Sequence, residues 1–362
     1  MGEDMKRMFG IASLALLASC ASMPGSEQDV VARSAAMVPT GPWPAGDERG
    51  MANTIGAGTY MRCAWHLAQP GAKAYELSQV RSPTMPLSPF AGPFTMRHNP
   101  SNVIPGTHHG FNADYVAGDP GQQGTQMDAL GHFGALAAPW DGKSASPERG
   151  LVYYGGLRQA DVKPTPESPL LKLGMEKVPP IVTTGVLLDA KRFIGNGQPL
   201  KPGQVINSVQ IRGMLKAQGL EARGILPGDV VYVYTGWSDG WQDPDVAKQY
   251  YTKAPGLSID AARYLGDRKV VVVALDTPFV DAVNDGQLMG KAGPPDGILA
   301  GHPFSMHHHM LTQMGVHLVE NARLAEMAND RVYTACTMIL PLREQGAAGS
   351  PVRPVAIGAP AK

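Results

Sequence analysis

The chain alternates between short apolar runs and stretches with helical spacing. KVVVVALDTP (269–278) is apolar at successive positions, which predicts a strand buried on both faces at the centre of a sheet. VPPIVTTGVLLDA (178–190), PGDVVYVYTGW (227–237), VHLVEN (316–321) and RVYTACTMILPL (331–342) predict further strands, and AYELSQV (74–80) a short one. Between them lie helical patterns. NSVQIRGMLKAQGL (207–220) has Asn207 or Ser208 as its N-cap and Gly219 near its end. SIDAARYLGD (258–267) is capped by Ser258 or Asp260, GTYMRCAWHLA (58–68) stops at Pro70-Gly71, and HHHMLTQMG (307–315) stops at Gly315. This mixture predicts an α/β fold with a central mixed sheet in one large domain covering residues 46–362. Residues 82–120 are rich in Pro, Gly and Asn without clear periodicity, and are expected to form a long loop or lid that shapes a pocket.

The amino terminus has a different pattern. Lys6 and Arg7 precede the apolar run FGIASLALLAS, which is too short to span a bilayer and ends at Cys20. Leu17-Ala18-Ser19-Cys20 resembles a bacterial lipobox, so residues 1–19 are expected to be a signal peptide, Cys20 the lipidated residue and 20–45 a tether. An ordinary secretory leader cut elsewhere is the rival reading. The lipoprotein reading places the protein in the cell envelope facing the periplasm, with Ala21 favouring the outer membrane. No later segment approaches the ~20 apolar residues of a membrane helix, so the lipid is the expected membrane contact. An oxidising compartment allows Cys63 and Cys336 either to pair or to stay as separate buried thiols. Lys+Arg and Asp+Glu are equal at 31 each, which argues against a nucleic-acid partner and leaves a small molecule as the expected ligand.

Candidate chemistry concentrates in QQGTQMDALGH (122–132). Gln122, Gln126, Asp128 and His132 share parity, so on an extended segment they point to one side. A second cluster lies in HHHMLTQMGVHLVEN (307–321), where His308 sits on a helix and Glu320 ends the following strand. Imidazole and carboxylate groups of this kind suit a divalent ion. Trp237 and His109 are candidates for a pocket wall. Asp276, at the end of the central strand, either orients a substrate or caps a turn.

These motifs resemble the cyclase family of metal-dependent hydrolases, which includes bacterial kynurenine formamidase and isatin hydrolase. The family pattern H-x-G-T-H-x-D-x-x-x-H aligns on Gly124-Thr125, and YELSQ (75–79), GDVVYVYTGW (228–237), LDTP (275–278) and GSPVRPVAI (349–357) follow in the family's order. The resemblance implies a swivelling β/β/α domain that forms homodimers or homotetramers. It implies metal ligands at Gln122, Gln126, Asp128, His308 and Glu320, with His132 as acid/base, and hydrolysis of a small amide, lactam, lactone or related ester. His307 and His309 have no matched role. The departure is glutamine at two ligand positions that hold histidine in the family. An amide oxygen is a weaker ligand than an imidazole nitrogen, which shifts the expectation from Zn²⁺ toward Mn²⁺ or Mg²⁺. Two alternatives remain: the Gln amides hydrogen-bond Asp128 and Glu320 in a metal-free binding protein, or His132 runs a metal-independent lyase or isomerase reaction.

Overall fold

A computed structural model describes residues 25–361. The expected signal peptide and Cys20 lie outside the described residues. In chain order the strands are β1 (Lys73–Glu76), β2 (Thr95–His98), β3 (Asn102–Val103), β4 (Gly110–Phe111), β5 (Asp114–Ala117), β6 (Gln126–Asp128), β7 (Ile181–Asp189) and β8 (Val205–Ile206). They continue as β9 (Val230–Tyr234), β10 (Gly256–Leu257), β11 (Val272–Leu275), β12 (His317–Glu320), β13 (Thr334–Ile339), β14 (Gly349–Pro351) and β15 (Val355–Gly358).

Nine strands form one mixed sheet in the order β1-β15-β13-β7-β9-β11-β12-β6-β14. Its centre, β7-β9-β11-β12, is parallel, and the strands added at either side are antiparallel. Burial on both faces explains why these central strands read as unbroken apolar runs. Alternate residues serve two cores. Val231, Val233, Val273, Leu275 and Leu318 pack on one face with Ile211, Leu265, Met310 and Leu311 from three helical segments. Val230, Tyr232, Val272, Ala274 and Val319 pack on the other. The open choices of cap resolve in the structure. Asn207 caps Ser208–Ala217 in a reciprocal box with Gln210, and Ser258 caps Ile259–Asp267.

Within the expected tether, residues 27–35 are not free chain. Glu27–Ala35 is a helix (α1) that packs on a second helix, Ala57–Leu67 (α2). Buried Val30 holds it there, and Arg223 bridges Glu27 at 2.8 Å and Asp229 at 2.7 Å. Cys63 on α2 is disulfide-bonded to Cys336 on β13, tying this layer to the sheet. Among the described residues no helix is long and apolar enough to cross a membrane.

Residues 82–120 are not one long loop. β2 pairs with β5 and β3 with β4, so the middle of the segment is an antiparallel ribbon. Its pairing is local and its residues are largely exposed, including Val103, Phe111, Tyr115 and Val116. Without a buried face the ribbon carries no hydrophobic alternation for a sequence reading to detect.

Candidate active site

The site grows from the antiparallel pair β6 and β12. Gln126 lies opposite Glu320 and Asp128 opposite Leu318, so Gln126, Asp128 and Glu320 share one face while Met127 and Val319 serve the core behind. The Gly124-Thr125 turn fixes this register. Gly124 has φ +77, and the Thr125 hydroxyl donates to the Asn321 carbonyl at 2.7 Å while accepting from Gln79 N–H at 2.8 Å. The Asn321 amide donates back to the Gly124 carbonyl at 3.0 Å.

The floor of the site has more acceptors than donors. Asp128 is 1% exposed, yet among the described residues neither of its carboxylate oxygens has a hydrogen-bond partner. Gln126 donates to Glu320 Oε2 at 2.9 Å, which leaves its own amide oxygen buried and without a partner. A buried acceptor left alone costs about 1–3 kcal/mol, so three together call for a cation or another donor.

His307 supplies the imidazole. Asp281 accepts from Met306 N–H, His307 N–H and His307 Nδ1, capping the first turn of the helix and fixing the ring. With Nδ1 donating to a carboxylate, Nε2 faces the floor, 3.5 Å from Asp128 Oδ2 and 3.4 Å from Glu320 Oε1. Those separations are long for hydrogen bonds but match donor atoms that share one ion at ~2.1 Å each. Asp128, His132 and His307 bring ligand atoms within 4.8 Å of one another. The residues present therefore fit a divalent cation.

Electrostatics follow from burial and crowding. Burial pushes Glu320 up to about 7, with His307 opposing and Asp128 adding to the rise. Burial by itself would lower His307, but Asp128, Asp281 and Glu320 hold it well above the usual imidazole range. Burial lowers His132, keeping its ring neutral and able to accept a proton.

Above the floor is a cavity of about 400 Å³ lined by Phe90, Asp119, Gln122, His132, Phe133, Phe279, Phe304, His307 and Glu320. Gln122 accepts from the Ser88 hydroxyl at 3.2 Å. It reaches the site from the loop 118–124, which lies against β14 because Gly121 and Gly349 approach closely; a Cβ on Gly349 would sit 2.7 Å from Gly121 Cα.

The structure gathers Gln122, Gln126, Asp128, His132 and Glu320, but not His308. The His308 ring points the other way, 4.1 Å from the His302 ring, with Gln313 at its Nε2. His307 takes the expected place. The segment His308–Met314 is π-helical, which holds more residues per turn, so counting back from Glu320 lands one residue late. The helix face does mark His307, because Met310, Leu311 and Met314 lie three, four and seven residues on.

The three substrate-binding candidates fall elsewhere. His109 is exposed in the ribbon turn, where its carbonyl accepts from Ile104 N–H. Trp237 packs near Tyr250 and lines a different cavity with Pro199 and Lys253. Asp276 is a cap: its carboxylate accepts from the backbone and hydroxyls of Thr235 and Ser238 and from Gly236 N–H. GWSDG (236–240) matches Gly-x-Ser-x-Gly, but its Ser238 is one of the groups that saturate Asp276, so it is not a free nucleophile. Asp281, Asp119 and the four phenylalanines were also missed. Only Phe133, directly after His132, carried a signal in its position.

A carboxylate–imidazole cluster where the parallel centre of the mixed sheet meets its antiparallel flank, beneath an aromatic-walled cavity, defines an enzyme-type site on an α/β fold. The chain belongs to the cyclase family: the putative cyclase profile matches residues 75–282, more than half of it. It is 30% identical over 109 residues to a kynurenine formamidase of Bacillus cereus and equally to one of Bacillus thuringiensis, covering 30% of this chain and 43% of each relative. The match thus spans less than half the length of these curated relatives. Among solved structures, a novel cyclase superposes with a TM-score of 0.69 at 27% identity, covering 87% of this chain and 95% of that one. Isatin hydrolase A from Ralstonia solanacearum shares the fold at TM-score 0.51 and 18% identity, over 81% of this chain and 94% of its own.

Proposed function

We propose that the protein is a cation-assisted hydrolase of a small amide, lactam, lactone or related ester. The observation that carries this reading is the pair of buried, unpartnered Asp128 oxygens facing His307 Nε2 in the cavity that holds His132. Asp128, His307 and Glu320 would hold the ion, with the Gln126 and Gln122 amide oxygens beside them. That set is richer in oxygen than in nitrogen and favours Mn²⁺ or Mg²⁺ over Zn²⁺. A divalent cation here supplies Lewis-acid polarisation of the carbonyl and acidifies water. The protein's own groups do the rest. Neutral His132 takes the proton from the attacking water and passes it to the leaving nitrogen or oxygen. Asp281 holds the His307 ring, and the Gln126 amide holds Glu320. Kynurenine formamidases and isatin hydrolase A among the similar proteins support a C–N bond as the target.

One observation favours a second reading. The Gln126 amide donates to Glu320, and a cationic His307 lies among three carboxylates, so a donor and a positive charge are present without an ion. That network suits a binding protein or metal-independent acid/base chemistry at His132. Elemental analysis after dialysis against Mn²⁺, Mg²⁺ or Zn²⁺ separates the two. Near-stoichiometric retention lost in both Asp128→Ala and His307→Ala supports the hydrolase, and no retention of any ion sinks it.

We also propose an envelope lipoprotein anchored through Cys20; the Cys63–Cys336 bond supports an oxidising compartment. The exposed apolar ribbon around Val103 and Phe111 supports the homo-oligomer as well.

A further inference from the structure

A second cavity of about 360 Å³ lies behind the wall of the first. Phe133 and Phe304 line both. Their rings meet edge to face at 6.4 Å and flank His307 at 5.3 and 5.9 Å, so these two side chains form a boundary shared by the reacting groups and the space beyond. The far side is apolar, built by Leu136, Trp140, Leu151 and Pro303. Its floor is held in place by backbone bonds between Ala135 and Val152, 2.9 Å in each direction. The His302 and His308 rings, 4.1 Å apart and tilted by 44°, also line it. Its apolar lining matches a hydrocarbon rather than a charged group, and a preformed concave site with few polar groups is where a small molecule buries its apolar part.

We propose that this cavity is a second subsite of the same active centre, taking an alkyl or aryl substituent of the substrate, with Phe133 and Phe304 setting its reach. The inference rests on the hydrolase reading and adds a class to it: amides or esters carrying an apolar group several carbons long. The geometry accounts for the His308 position as well, since that residue lines this subsite instead of the ion floor.

The test is direct binding of N-alkylbenzamides, from N-methyl to N-hexyl, by titration calorimetry on the metal-loaded protein. In the wild type each added methylene should tighten binding about threefold to fourfold until the subsite is full. Ala137→Trp, at an exposed position that lines the subsite, should abolish those increments and leave N-methylbenzamide unchanged. Phe304→Ala, which removes one ring from the shared boundary and widens the way between the two spaces, should extend the gain to bulkier chains. Flat affinity along the series, increments that survive Ala137→Trp, or no binding by any member overturns the subsite. Ion retention measured on the same samples reports separately on the hydrolase reading, so either can fail alone.

Discussion

Two buried aspartates in neighbouring parts of the sheet are treated in opposite ways. Asp276, at the end of β11, is 0% exposed and accepts from five donors around one turn. Asp128, on β6, is 1% exposed and accepts from none within hydrogen-bond distance. A carboxylate that serves the fold brings its own donors, because an unpaired buried charge is expensive. One left unpaired beside a second carboxylate and an imidazole is kept for something that enters. The contrast distinguishes a cap from a ligand where sequence alone treated both as candidates.

The same isosteric change at both positions should break the comparison if it is wrong. Asp128→Asn should abolish ion retention and lower hydrolysis about a thousandfold, in line with loss of several kcal/mol of charge stabilisation. Its urea midpoint should hold or rise, since a buried charge without donors has been removed. Asp276→Asn should do the reverse. The new amide N–H₂ meets donors instead of acceptors, which costs about 2–4 kcal/mol of stability and leaves ion retention intact. Equal loss of stability at the two positions would remove the distinction. His132→Gln sharpens it further: the ion should stay bound, stability should change little, and turnover should fall about a hundredfold. Loss of the ion in that variant would make His132 a ligand, not a proton carrier.

The strand half of this site was legible and the helix half was not. Gln126, Asp128 and Glu320 sit on strands, where a period of two fixes which side chains share a face, and the motif aligned Gln126 and Asp128 on the Gly-Thr turn. His307 sits before a π-helical segment, where a one-residue change in winding turns a neighbouring side chain to another face. Asp281 lies in a loop after β11, far along the chain from the residues it orients, and its role depends on a tertiary approach that no local pattern encodes. The ribbon 95–117 was missed because its strands are short and bury no face. The central sheet was readable for the opposite reason: burial on both faces leaves few residue types that β11 could use.

The smallest predicted effect reads the saturated carboxylate through pH. Burial raises Asp276 to about 6, with its donors opposing, while an unfolded aspartate titrates near 3.8. Between those values the folded chain binds the extra proton, so this group makes stability fall as pH rises from about 4 to 6. His66 on α2 acts in the opposite sense. Burial lowers it to about 4 from 6.5, so the unfolded chain binds the extra proton and stability falls as pH drops through that window. In the wild type the two slopes partly cancel between about 4 and 6. His66→Leu removes the second slope, and at pH 4.5 it should be about 2 kcal/mol more stable than the wild type relative to their difference at pH 7. Asp276→Asn removes the first slope and should steepen the acid loss instead. Urea midpoints of the three proteins at pH 7, 6, 5 and 4.5 read both, and parallel curves for wild type and Asp276→Asn would mean that the donors around Asp276 hold it ionised throughout.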